Sequence, residues 1–129
     1  FHAGFAGFAA YSQSKLANVM FTNALARRLA GTGVTANSLH PGGVATGFAR
    51  NNGGLANAFM GSIWKLFALS AEKGAATSVF LASSPEVAGL TGGYYSRCKL
   101  APTAPEARDE TAQERLWAMT AKQTGIVWP

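Results

Sequence analysis

A chain of 129 residues, of which 48% are hydrophobic and 13% charged, has enough apolar material for one globular domain, which excludes a disordered or fibrous protein. The net charge of +5 comes from lysines and arginines scattered along the chain, and this scatter does not favour a nucleic-acid-binding module. No apolar run reaches the roughly 20 residues of a membrane span, and no signal peptide is found.

The first predicted element is a helix from about Ala9 to Ala30, which is apolar nearly all round and therefore expected to be buried on more than one side. Tyr11 and Lys15 stand four residues apart near its start, so their side chains share a face. A free tyrosine has a pKa of about 10 and carries protons poorly at neutral pH unless a nearby positive charge stabilises its phenolate. Lys15 is placed to supply that charge, although the same spacing occurs where a surface tyrosine packs on a lysine stem.

A short strand is predicted next, from Val34 to Leu39, linked to the helix through glycines as in an α/β unit. The strand ends at His40, followed by the turn Pro41-Gly42-Gly43, and we expect His40 to close it structurally. Ligands of open parallel sheets bind beyond the carboxyl ends of the strands. This turn therefore lies where a cofactor is expected.

An amphipathic helix with an aromatic stripe is predicted from Leu55 to Leu69, either as core or as a lid over an apolar ligand. Three more elements complete one α/β domain. They are a helix Ala71–Ala82 capped by Ser70, a strand Gly92–Ser96, and a last helix that ends near Thr124 and begins with a capping box formed by Thr103 and Glu106.

Five stretches of the chain closely resemble the C-terminal half of a short-chain dehydrogenase/reductase, most of all its retinol-dehydrogenase-like and WW-domain-oxidoreductase-like members. They are Tyr11–Asn18, Ala26–Val34, His40–Thr46, Gly92–Cys98 and Arg115–Trp117. The resemblance implies the α/β class, as the C-terminal part of a doubly wound, Rossmann-type parallel sheet whose N-terminal strands are missing. Residues 1–129 are then a single partial domain with a substrate lid at about 50–69.

The resemblance also implies an NAD(P)-dependent oxidoreductase that transfers a hydride between nicotinamide and a hydrophobic carbonyl or alcohol. Tyr11 matches its acid/base residue, which also belongs to the cofactor-binding site, and Lys15 matches the lysine that activates the tyrosine and binds the nicotinamide ribose. The turn that runs beside the nicotinamide is matched by Pro41, Gly42, Val44 and Thr46. The substrate is expected to meet the aromatic face formed by Phe59, Ile63, Trp64 and Phe67. The cofactor implied is NADP or NAD, with NADP favoured.

The family's glycine-rich dinucleotide turn and catalytic serine lie upstream of the tyrosine, and the ten residues before Tyr11 contain no serine. We therefore expect this chain to pair with the upstream half of the same protein. The alternative is a catalytically silent member that serves as a binding or scaffolding subunit. A homodimer through the helix starting near Ala9 is a further implication of the resemblance.

The chain has one cysteine and two histidines. The single cysteine, Cys98, excludes an internal disulfide and suits a reducing compartment, so we expect a cytoplasmic protein with Cys98 in a structural role. Neither His2 nor His40 has a cluster of His, Cys or carboxylate residues at ligand spacing, so no metal site is expected.

Overall fold

The structure, a computed structural model, describes residues 7–42 and 70–126 of the chain. These two ranges contain three helices and a small mixed sheet, which confirms the predicted α/β class. In chain order the elements are α1 (Gly7–Arg28), β1 (Ser38–His40), α2 (Ala71–Ser83), β2 (Tyr94–Ser96), β3 (Lys99–Leu100) and α3 (Glu110–Thr124), with short 3₁₀ helices at Pro85–Val87 and Pro105–Arg108.

α1 begins and ends about two residues earlier than its composition indicates. The chain leaves the helix through Gly31, whose φ of 80° lies in the left-handed region that favours glycine. Within the described residues Ala24 and Ala26 are buried, whereas Tyr11 and Phe21 remain 43% and 39% exposed. The buried side of α1 is therefore lined by small side chains near its C-terminal end.

The sheet has the order β1-β2-β3. β1 and β2 are parallel, with Ser38 opposite Tyr94 and His40 opposite Ser96, and the connection between them includes α2. A parallel pair needs such a crossover because its strands run the same way. The parallel β1–β2 pair is the part of the doubly wound sheet present in the described residues.

β1 begins at Ser38 and not at Val34 as predicted. Just before Ser38, the side chain of Asn37 takes the place of the regular ladder. The Asn37 amide donates to the Leu90 carbonyl at 2.8 Å and accepts from the Gly93 N–H at 2.9 Å. Gly92, with a φ of 73°, lies in the same crossing and donates to the Ala36 carbonyl. Regular pairing therefore starts only at Ser38.

The hairpin between β2 and β3 was not predicted. Its two turn residues, Arg97 and Cys98, have φ values of 53° and 59°, whereas such turns ordinarily use Asn-Gly or Asp-Gly. The Cys98 N–H donates to the hydroxyl of Thr77 at 3.2 Å, and Thr77 is buried within α2. This hydrogen bond ties the turn to the neighbouring helix.

The two later helices show one correct and one wrong prediction of capping. Ser70 caps α2 as expected, since its side chain accepts from the Lys73 N–H at 3.3 Å. The capping box of Thr103 and Glu106 is wrong, because Pro105–Arg108 forms a separate 3₁₀ helix with no side-chain cap. α3 is capped by Asp109, which accepts from the Ala112 N–H at 3.0 Å.

The core of the described residues is thin. Its largest apolar member is Tyr95, 5% exposed, whose ring lies 6.4 Å from that of Phe80 on α2. The largest fully buried side chain is polar, that of Gln113 in α3. Within residues 7–42 and 70–126, the helices lack the length and apolar character needed to cross a membrane.

Candidate functional site

Tyr11 and Lys15 lie in the second and third turns of α1 and are both exposed. The Lys15 ammonium stands 5.3 Å from the centroid of the Tyr11 ring, which confirms that the two side chains share a face. At this distance the ammonium lies within the range of a cation–π contact with the ring. The pair is thus an exposed phenol beside an exposed positive charge, and its catalytic role stays a prediction.

α1 leads into β1 through a short turn at Gly31 and Gly33, and the two elements contact each other. From Tyr11 to Arg28 a helix covers about 26 Å, and from Val34 to Pro41 an extended chain covers about 23 Å. Because these two lengths are similar, we expect the Tyr11 end of α1 to lie level with the end of β1.

β1 is followed by Pro41 and Gly42, the last residues of the first described range. Gly42 has a φ of 83°, a conformation that a residue with a Cβ adopts only with strain. Without a side chain at Gly42, a ligand can approach the backbone closely. Both residues lie just beyond the carboxyl end of β1, and their part in binding a cofactor stays a prediction.

The register of the sheet adds a residue that sequence reasoning missed. Ser96 ends β2 directly opposite His40, the exposed last residue of β1. Both residues stand at the carboxyl edge of the parallel pair. In the sequence, the signal for this pairing is that both predicted strands end in a polar residue, His40 in the first and Ser96 in the second.

Six predicted site residues lie outside the described residues: Val44, Thr46, Phe59, Ile63, Trp64 and Phe67. Their parts in binding cofactor and substrate stay predictions. The same applies to the helix expected at 55–69 and its role as a lid. Of the predicted site residues, Tyr11, Lys15, Pro41 and Gly42 are described.

The other end of α1 holds the densest group of charges in the described part of the chain. Glu114 of α3 accepts from Arg28 at 2.5 and 3.0 Å and from Arg27 at 2.8 Å. Hydrogen bonds from Arg28, then from Arg27, lower the pKa of Glu114 to about 2, and the same contact with Glu114 raises the pKa of Arg28. The carboxylate therefore stays ionised over the whole range in which proteins normally work.

A buried polar contact lies beside these ion pairs. Gln113, 2% exposed, accepts a hydrogen bond from Arg27 and donates one to the Ala107 carbonyl at 2.6 Å. The Asn23 amide of α1 donates to that same carbonyl at 3.0 Å. Side chains of α1 and α3 thus meet on one backbone oxygen. The side-chain oxygen and nitrogen of the buried Gln113 each have a hydrogen-bond partner.

The described residues form no metal-binding group. Across 7–42 and 70–126, no three His, Cys, Asp or Glu residues are grouped so that they could hold an ion. Cys98 is a free thiol of intermediate burial. Among the predicted site residues, the polar groups that are described are the phenol of Tyr11, the ammonium of Lys15 and the backbone of Pro41 and Gly42.

Known proteins similar to this chain are short-chain dehydrogenases. A family model described as short chain dehydrogenase matches residues 2–54. Retinol dehydrogenase 13 of Homo sapiens is 44% identical over 125 residues, which cover 94% of this chain and 38% of that protein. Retinol dehydrogenase 14 of Homo sapiens is 44% identical over 120 residues, 91% of this chain and 35% of that protein. Retinol dehydrogenase 12 of Mus musculus is 41% identical over 122 residues, 92% and 37% respectively. The chain thus spans well under half the length of these relatives.

Proposed function

We infer that this chain, which belongs to the short-chain dehydrogenase/reductase family, carries the proton-transferring part of a nicotinamide-dependent oxidoreductase that acts on a hydrophobic carbonyl or alcohol. The observation that carries the proposal is the Lys15 ammonium 5.3 Å from the Tyr11 ring, on the exposed start of α1. Three relatives are named retinol dehydrogenases, which supports an apolar alcohol or aldehyde as the substrate class.

Tyr11 is the proposed acid/base residue. Its hydroxyl gives a proton to the carbonyl oxygen in reduction and takes one from the alcohol in oxidation, a role that contributes typically 10²–10⁴-fold to a rate. Lys15 places a positive charge beside the phenol and, by family resemblance, hydrogen-bonds the ribose of the cofactor. One ammonium would then both activate the acid and position the cofactor.

Two features of the described residues support a nicotinamide dinucleotide as the cofactor. Lys15 offers an exposed donor, and Gly42 offers backbone without a Cβ at the carboxyl end of β1. When bound, the nicotinamide supplies or accepts the hydride. We propose that Val44 and Thr46 complete this side of the cofactor site and that NADP is preferred to NAD.

We further propose that the working enzyme includes an upstream segment with the glycine-rich turn and the catalytic serine. The thin core supports this proposal, because Val79 and Leu100 are 60% and 70% exposed and no large apolar side chain is fully buried within the described residues. Intact-mass measurement of the purified enzyme tests it. A mass near 13.4 kDa for the only species present, together with full activity, would contradict it.

The central experiment compares Tyr11→Phe with wild type in the enzyme that includes the upstream segment. Reduction of retinal and of long-chain aldehydes is followed through loss of the reduced cofactor, in separate arms with NADPH and NADH and with a sugar aldehyde as polar comparison. We expect Tyr11→Phe to lose at least 100-fold in kcat while cofactor binding stays within about twofold. Tyr94→Phe, which removes a hydroxyl from a half-buried strand residue, is the matched control and should keep wild-type turnover.

The outcomes separate the proposal from its alternative. Equal turnover by wild type and Tyr11→Phe would overturn the role of Tyr11. A wild type that binds NADPH or NADH but turns over none of the aldehydes would instead indicate a catalytically silent binding or scaffolding subunit. Turnover of the sugar aldehyde in preference to retinal would overturn the hydrophobic substrate class.

A further inference from the structure

The helix that carries Tyr11 is held at its opposite end by α3. Gln113 and Glu114 bind Arg27, Glu114 also binds Arg28, and Asn23 shares the Ala107 carbonyl with Gln113. The contacts that join α1 to Ala107 and to α3 span 84 to 87 residues of sequence, so they fix α1 relative to that part of the chain and not merely its local shape. We call this set of contacts the α1–α3 clamp.

Polar contacts contribute more to the position of α1 relative to α3 than they do in an ordinary pair of packed helices. The side chains of α1 buried at this end are Ala24, 0% exposed, and Ala26, 6% exposed. Alanines present little relief for ridges-into-grooves packing, so besides the stacked rings of Phe21 and Trp117 the two helices depend on polar contacts for their relative position. Hydrogen bonds to charged groups have fixed directions and short lengths, and they restrict those movements.

The distance from the clamp to Tyr11 turns a small tilt into a large displacement. Tyr11 lies about 18 Å along the helix axis from Asn23 at 1.5 Å per residue. A tilt of about 3° about the clamp therefore moves the start of α1 by about 1 Å. A displacement of that size at a reacting group can cost on the order of 100-fold in rate.

We propose that Gln113 and Glu114 are positioning residues, which hold α1 so that the Tyr11 hydroxyl meets the substrate oxygen. This inference rests on the function proposed above. Gln113 acts from the buried side, through Arg27 and the Ala107 carbonyl, and Glu114 acts from the exposed side, through both arginines. α3 is then part of the catalytic framework although it carries no reacting group.

The test uses Gln113→Met and Glu114→Gln in the enzyme that includes the upstream segment. Methionine has nearly the length of glutamine but cannot hydrogen-bond the Ala107 carbonyl, and Glu114→Gln removes one charge from a side chain that is 48% exposed. Glu110→Gln, on the same helix one turn earlier, is the matched control for loss of an exposed acid. kcat is expressed per cofactor-binding site, so that unfolded protein does not contribute.

We expect kcat to fall roughly 3- to 10-fold in both variants, while KM for the cofactor stays within about twofold and Glu110→Gln matches wild type. Added sodium chloride should lower the wild-type kcat by weakening the exposed ion pairs and should have less effect on Glu114→Gln. A merely structural role would lower the amount of folded enzyme and leave kcat per site unchanged.

Two results decide the matter. Wild-type kcat per site in both variants, with Tyr11→Phe inactive, would overturn the positioning role and leave the proposed function intact. Activity in Tyr11→Phe would instead remove the premise on which the inference rests. If Gln113→Met fails to fold, the surface variant Glu114→Gln and its salt dependence still decide the question.

Discussion

The Trp117 ring of α3 lies almost parallel to the Phe21 ring of α1, with centroids 5.0 Å apart and planes 10° from each other. The Arg28 guanidinium stands 4.1 Å from the centroid of the same indole. Phe21 and Arg28 are two helical turns apart, so they lie on one face of α1. Trp117 therefore joins the aromatic and the charged parts of the contact between the two helices.

This stack should be measurable as a coupling between the two aromatic side chains. We expect Phe21→Leu and Trp117→Leu each to destabilise the protein, with a coupling of about 0.5–1.5 kcal/mol between them in a double-mutant cycle. Urea denaturation gives the free energies of unfolding. Met119→Leu, at a residue of α3 that is 53% exposed, should have almost no effect. Strictly additive effects of the two ring replacements would contradict an energetic stack.

The ion pairs of Glu114 make stability depend on pH in the acidic range. Because its pKa falls from 4.5 to about 2 on folding, the carboxylate contributes its full stabilisation above pH 4.5. That contribution is lost as the pH drops from 4.5 through 2. The difference in free energy of unfolding between wild type and Glu114→Gln should therefore be constant near neutral pH and shrink across this window. Urea titrations at a series of pH values measure it, and a difference that persists at pH 2 would refute the assignment.

The β2–β3 turn offers a site where stability can be gained. Arg97 pays the steric penalty of a left-handed conformation at a φ of 53°, which asparagine tolerates much better. We expect Arg97→Asn to raise the free energy of unfolding by about 0.5–1 kcal/mol, and Arg97→Val to lower it. Lys99→Asn, which removes a neighbouring exposed cation from β3, serves as control. Thermal unfolding measures these changes, and an Arg97→Val variant as stable as wild type would contradict the prediction.

Lys15 should influence both turnover and cofactor affinity. In Lys15→Met the phenol loses its neighbouring positive charge and the cofactor loses a donor, so we expect kcat to fall by about 100-fold and the cofactor Kd to rise. Steady-state kinetics and fluorescence titration with NADPH separate the two effects. Lys122→Met, in the last turn of α3, removes a charge far along the chain and should change neither. Loss of affinity without loss of kcat would confine Lys15 to cofactor binding.

What the sequence could predict was set by short-range geometry. Tyr11 and Lys15 meet because they are four residues apart on a helix, and Ser70 caps α2 because a cap needs only the next three residues. The α/β class follows from the order of helix and strand patterns, and the family follows from residues read in order. Each of these features can be judged from one short stretch of chain.

The features that escaped prediction depend on segments distant in the chain. Asn37 replaces part of the ladder because Leu90 and Gly93 lie beside it, and Gln113 is buried because Arg27 and the Ala107 carbonyl satisfy it. No local pattern shows that an amide will find such partners. The homodimer through α1, the cytoplasmic location, the extent of the domain and the substrate lid stay predictions.

The oxygen on which Asn23 and Gln113 converge belongs to the backbone of Ala107, whose side chain is fully buried. No substitution can delete a main-chain acceptor, so mutation at this position changes only the volume that must fit. An alanine scan, which leaves Ala107 as it is, passes over the point where the two helices are joined. We expect larger residues at 107 to push α1 away from α3, although the substitution itself replaces no charged or catalytic residue. A survey of tolerated variants should therefore find only glycine and alanine at this position.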